Sequence, residues 1–134
     1  MMTRLGLQYN ANGEKRQLQT AFANIPASTT DATLTLSTGG TLAAVAGKCY
    51  VVLGIFCHLQ DATETNVTLN SKPTGSAGSA ISSTKQVVAN GGWVQTRGTE
   101  ADYLYKTKRG EALTITTGPG SAVGIDVLFV LDDN

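Results

Sequence analysis

The sequence predicts an all-β protein, a jelly-roll or antiparallel β-sandwich with an N-terminal arm, and three observations predict it. Val, Ile and Thr supply 34 of the 134 residues, whereas Glu, Lys, Gln and Arg supply only 20. β-branched side chains fit a pleated, half-buried surface, and straight-chain helix formers are scarce. Short runs of alternating apolar and polar residues recur along the chain, and clusters rich in Gly, Ser and Asn separate them. The length suits one domain able to bury a core without staples. Ten basic side chains balance ten acidic ones, so no cationic excess exists to drive nucleic-acid binding through counterion release. No apolar run approaches the ~18 residues of a membrane-spanning helix, and Met1-Met2-Thr3-Arg4 leads into no apolar leader. The expectation is a protein made inside the cell, with neither nucleic acid nor membrane as partner.

Residues 1–26 read as the arm and 27–134 as the sandwich domain. In the arm, Leu5, Leu7 and Tyr9 alternate with polar neighbours, and Asn12-Gly13 is the dipeptide of a tight hairpin turn. Leu18, Thr20 and Phe22 suit a return strand. Leu18, Ala21, Phe22 and Ile25 equally form an i, i+3, i+4, i+7 stripe for a short helix before Pro26. Leu5, Leu7, Tyr9, Leu18 and Phe22 are the expected contacts of this arm, whose removal up to residue 24 should leave the sandwich folded.

Within the domain, residues 33–37 alternate and stop at Gly39-Gly40. The strongest strand is 48–59. Period two puts Cys49, Val51, Leu53, Ile55, Cys57 and Leu59 on one face, and Lys48, Tyr50, Val52, Gly54, Phe56 and His58 on the other. The second face is too apolar for solvent, as in a central strand. Eight extended residues between Cys49 and Cys57 span ~26 Å, far beyond disulfide reach, so both read as buried thiols. Strands follow near 64–71, 81–88 and 103–105, then at 112–117 and 122–131, with the Gly/Ser-rich loop 73–79 and the turn 118–121 between them. In the last strand Val123, Ile125, Val127, Phe129 and Leu131 share one face, yet Leu128 and Val130 make the other apolar as well. Another subunit or the chain's own arm would cover such a face, which makes Leu128 and Val130 candidate subunit-interface residues.

Reactive chemistry is sparse. His58 is the one histidine, too few for a cupin-type metal centre, and no Gly-x-Ser-x-Gly elbow accompanies it. Asp61 with Glu64, Glu100 with Asp102, and Asp132 with Asp133 read as solvated turn residues rather than acid/base pairs. No calcium-loop motif supports a site at Asp132 and Asp133. Gly75-Ser76-Ala77-Gly78 lacks the Lys-Ser/Thr of a phosphate loop. Catalytic, cofactor and metal sites are therefore expected to be absent. Lys106, Lys108 and Arg109 lie beside Tyr103 and Tyr105, and Trp93 follows Gly91-Gly92; Trp93, Tyr103 and Tyr105 are the candidates for a ligand-facing aromatic surface.

From about Ala23 to Asp132 the order of features resembles the small jelly-roll structural proteins of tailed-bacteriophage virions, which decorate or cement the head shell or form spikes. The residues that carry the resemblance are Ala44-Val45-Ala46-Gly47-Lys48 before Val51-Val52-Leu53-Gly54-Ile55, then Asn66 to Lys72, Ala89-Asn90-Gly91-Gly92, Lys108 to Leu113, and Ala122 to Val127. The resemblance implies a homotrimer around a threefold axis, docked on the major capsid protein or another virion protein, made in the host cytoplasm and located on the virion. The expected function is accordingly a non-enzymatic capsid decoration protein. A tail-fibre or spike module binding host carbohydrate through Trp93, Tyr103 and Tyr105 is the alternative, and an enzyme using His58 or a carboxylate pair as its base is the third.

Overall fold

A computed structural model of the chain describes residues 17–59, 61–96 and 103–132. These residues form an antiparallel β-sandwich with no helix. The strands are β1 (Gln19–Ile25), β2 (Ala32–Thr33), β3 (Thr35–Leu36), β4 (Cys49–His58), β5 (Thr65–Lys72) and β6 (Ser79–Ala80). They continue with β7 (Lys85–Val87), β8 (Gly92–Thr96), β9 (Tyr105–Lys106), β10 (Ala112–Thr117) and β11 (Val123–Asp132). One sheet runs β3-β1-β11-β4-β8, with β9 also on β4; the other runs β2-β10-β5-β6, with β7 also on β5. The pairing is nested: β4 lies against the last strand, β11, and β5 against the one before it, β10. Long-range closure of this kind needs strands whose inward faces agree, and they do. Val67, Leu69, Leu113 and Ile115 from one sheet meet Ile55, Ile125, Val127 and Phe129 from the other in one buried cluster. At its centre the Tyr50 and Phe129 rings meet edge to face, 5.5 Å between centroids and 66° between planes.

The expected break at residue 26 does not hold. β1 sits between β3 and β11, paired over its whole length from Gln19↔Phe129 to Ile25↔Val123. It alternates as a strand: Ala21 and Ile25 are buried in the core, while Thr20, Phe22 and Asn24 face outward. The helical stripe loses because β11 offers β1 a full ladder and the core takes only every second residue. Leu5, Leu7, Tyr9 and the Asn12-Gly13 turn lie outside the described residues.

The run 33–37 divides at Leu34. β2 pairs with β10 in one sheet, β3 pairs with β1 in the other, and Leu34 is wholly buried where the chain crosses.

The largest departure from period two lies in β4. Leu128 pairs with Gly54 but Phe129 pairs with Val52, so Leu53 is an extra residue in a β-bulge. Beyond the bulge the parity reverses. Ile55, Cys57 and Leu59 join the main core, together with Tyr50 and Val52. Cys49, Val51 and Leu53 instead form a second buried cluster with Val130. The single-face reading of Cys49 through Leu59 is thereby corrected. Gly54 marks the place: a Cβ there would lie 3.2 Å from Leu128 Cβ and 3.4 Å from Phe56 Cε2, so the crowded outer side of the bulge favours glycine.

Candidate functional site

Two surfaces of the six-stranded sheet could engage another molecule: its outer face, and the edge at β8. On the outer face, strand register assembles a row that sequence distance hides. Phe22 pairs with Asp126, Asp126 with Phe56, and Phe56 with Val94. Residues opposite one another on adjacent strands point to the same side, so the row runs phenylalanine, carboxylate, phenylalanine, valine. Phe22, Phe56 and Val94 are 44%, 38% and 62% exposed. The next row is Thr20, Leu128, Gly54 and Thr96, with Leu128 half-buried against the bulge. The row on the other side is Asn24, Gly124, His58 and Gly92, where the His58 imidazole lies across Gly124. Of the two expected interface residues, Leu128 thus belongs to the outer face. Val130 is fully buried within the single chain and presents no surface to a second copy. Leu18, at 49% exposure, precedes β1.

Beside that face, His58 lines a hollow of about 210 Å³ with Asn24, Asp61, Ala122, Val123 and Gly124. An imidazole and a carboxylate share it, but no nucleophilic side chain lines it. Among the described residues no group of three or more His, Cys, Asp or Glu is placed to hold a metal ion. Glu100, Asp102 and Asp133 lie outside the described residues. The thiols are sequestered. Cys49 and Cys57 are both buried, and burial, with the Asp126 charge as a smaller cause, pushes the Cys57 thiol up to about 12.

At the edge, β8 pairs only with β4, and residues of the short β7 in the other sheet lie close to it. Between them lies a cleft of about 460 Å³ lined by Ser83, Thr84, Lys85, Gln86, Trp93 and Gln95. Trp93 and Gln95 are opposite Cys57 and Ile55, hence on the inward side of β8. Trp93 packs against the core with part of its surface. Lys85 crosses toward the other sheet, its Nζ 5.7 Å from the Tyr105 ring centroid, within cation–π range. Tyr103 is 39% exposed, and Lys106 Nζ stands 5.7 Å from its ring centroid. The structure therefore links Trp93 to Tyr105 through Lys85 and leaves Tyr103 outside the cleft lining. Sequence reasoning missed Gln95 and Lys85. The signal available was the alternation of β8, which puts residue 95 on the same side as the tryptophan.

Arg109, Glu111 and Asp31 brace the fold. Arg109 Nε donates to the Gly47 carbonyl at 3.1 Å, and Glu111 accepts from the Ser71 hydroxyl at 2.6 Å. Asp31 ties three segments together: Oδ1 accepts from Thr114 Oγ1 at 2.8 Å and from Asn70 Nδ2 at 3.2 Å, and Oδ2 accepts from the Gly78 amide at 2.9 Å.

No family model and no curated protein matches the chain. Among solved structures it is similar to part of the Clostridium thermocellum endo-1,4-beta-D-xylanase 10B, CBM22-1 and GH10 modules complexed with xylohexaose. The identity there is 18% and the TM-score 0.41, covering 92% of this chain and 23% of that one. It is also similar to part of a structure of infectious bursal disease virus, Gx strain, at 11% identity and TM-score 0.35, covering 90% of this chain and 37% of that one. The chain thus spans well under half of either protein, and likeness at this level carries no inference about function.

Proposed function

We propose that this chain is a non-enzymatic structural protein of a virion, acting as a homotrimeric decoration protein on the head shell of a tailed bacteriophage. The observation that carries the reading is the exposed row Phe22–Asp126–Phe56–Val94 on the outside of the six-stranded sheet. Phe56 and Val94 stand side by side on neighbouring strands and Phe22 lies one strand beyond Asp126, and exposed large apolar side chains gathered on one face are characteristic of a surface that meets other protein. Asp126 in its middle adds direction: a partner surface must bring a cation or donor to that point, and this fixes register. In a trimer, the row on each subunit packs against its neighbour, with Leu128 extending the contact. The resemblance of the strand and turn order to phage head proteins supplies the location. The mechanism is multivalent clamping, in which three weak contacts with adjacent shell subunits sum through effective concentration.

The test is co-sedimentation with phage head shells stripped of their decoration protein. The wild-type chain is expected to bind saturably. The double variant Phe22→Ser/Phe56→Ser should remain folded, since both side chains are already exposed, and bind at least ~100-fold more weakly because avidity is lost. Equal binding by the folded variant overturns the interface, and absence of wild-type binding overturns the decoration role.

A further inference from the structure

We propose that the cleft between β7 and β8 binds a neutral sugar, with Trp93 Nε1 donating to one hydroxyl and Gln95 Oε1 accepting from another. The first support is a pair of orphaned polar atoms. Trp93 Nε1 and Gln95 Oε1 are both buried, and neither meets a hydrogen-bond partner in the protein. Buried polar atoms are nearly always paired, and each one left unpaired is costly. These two belong to residues two apart on one strand, so they share a face at a spacing of ~6.6 Å along the chain. Both residues line the same cleft, so one unpaired donor and one unpaired acceptor lie within its wall.

The second support is size, in a groove open to solvent. About 460 Å³ falls within the range of small-ligand sites, which combine an aromatic wall with a few convergent polar groups. Trp93 supplies the wall, and an indole suits the C–H face of a sugar ring. The third support is charge. Lys85 is the one cation among the six lining residues, and it is already engaged. Its Nζ donates to Ser83 Oγ at 2.9 Å and lies over the Tyr105 ring. The rest of the lining is hydroxyl, amide and indole. A phosphate or carboxylate ligand would call for free cations. Hydroxyl groups, each able to donate and to accept, match both orphaned atoms at once. The site is separate from the apolar row, because Trp93 and Gln95 face inward at the sheet edge while Val94 between them faces out. It therefore does not depend on the decoration role.

Trp93 is the only tryptophan in the chain, so its emission reports the cleft directly. The full chain is titrated with neutral mono- and oligosaccharides of glucose, galactose, mannose, xylose and N-acetylglucosamine. At least one should shift the emission saturably below ~10 mM, a range suited to a site with few polar contacts. Gln95→Leu should weaken that sugar at least ~10-fold without lowering the thermal midpoint, because it removes an unpaired buried acceptor. Failure of every sugar to saturate overturns the proposal, as does unchanged affinity in Gln95→Leu. Shell binding by the same Gln95→Leu protein should equal wild type, which separates failure here from failure of the decoration reading.

Discussion

Single residues hold this fold by polar anchoring as much as by burial. Asp31 accepts three hydrogen bonds that join the 31 corner to β5, β10 and the Gly78 loop. Hydrogen bonds to a charged acceptor contribute more than neutral ones, and removing the acceptor strands several donors. Asp31→Ala should cost about 2–3 kcal/mol in urea unfolding, and Asp31→Asn less, because it keeps an acceptor oxygen. Cys57 makes a different residue-scale prediction. Its folded-state pKa is raised from 9.0 to about 12, so the unfolded chain releases this proton first as pH rises. The stability linked to the neutral thiol is present below pH ~9 and is lost as pH climbs toward ~12, by up to ~1.4 kcal/mol per unit. Burial also raises Tyr50, which adds a loss of the same sign above its ordinary value. Urea midpoints should be level from pH 7 to 8.5 and fall at pH 10.5, with a shallower fall in Cys57→Ala.

At the scale of elements, the alternation of 48–59, 64–71, 112–117 and 122–131 was enough to place β4, β5, β10 and β11. Each is long, and each buries one face against the opposite sheet. What the alternation could not carry was a register shift. The bulge at Leu53 is set by how β4 pairs with β11, a partner some seventy positions away, and its local trace was an interior glycine at 54. Likewise nothing local distinguishes Leu34 as the point where the chain changes sheets. The exposed row was invisible for a related reason: Phe22, Phe56 and Val94 fall into one line only through three strand pairings. Glycine substitutions test this geometry. A Cβ at Gly92 would land on the Cys57 carbonyl oxygen, backbone that cannot swing aside. Gly92→Ala should therefore cost about 2–3 kcal/mol and loosen β8. Gly54→Ala would sit 3.2 Å from Leu128 Cβ, a contact relieved by a few tenths of an ångström of movement, and should cost about 1 kcal/mol, less than Gly92→Ala. Deleting residues 1–24 removes nearly all of β1 from the β11 ladder. The truncated chain should lose cooperative thermal unfolding; a sharp native-like transition would show that β1 is dispensable.

The whole molecule joins a sealed interior to a face that is not sealed. Both thiols are buried, and the Cys49 cluster on the far side of the bulge is closed within the chain. The outer face of the same sheet nevertheless leaves two phenylalanines and a valine partly in water. The balance of ten positive and ten negative side chains provides no net repulsion to keep copies apart. Sequence reading located the apolar excess of the last strand but assigned it to Leu128 and Val130. The bulge brings Cys49, Val51 and Leu53 to the side of Val130, which is buried with them, while Leu128 lies beside the exposed row. The proposal of an assembled state thus rests on Phe22, Phe56 and Val94. Its most direct test is the absolute mass from light scattering during gel filtration at micromolar concentration. The expected result is a trimer of about three times the 13.9 kDa chain; a monodisperse monomer overturns the assembled state.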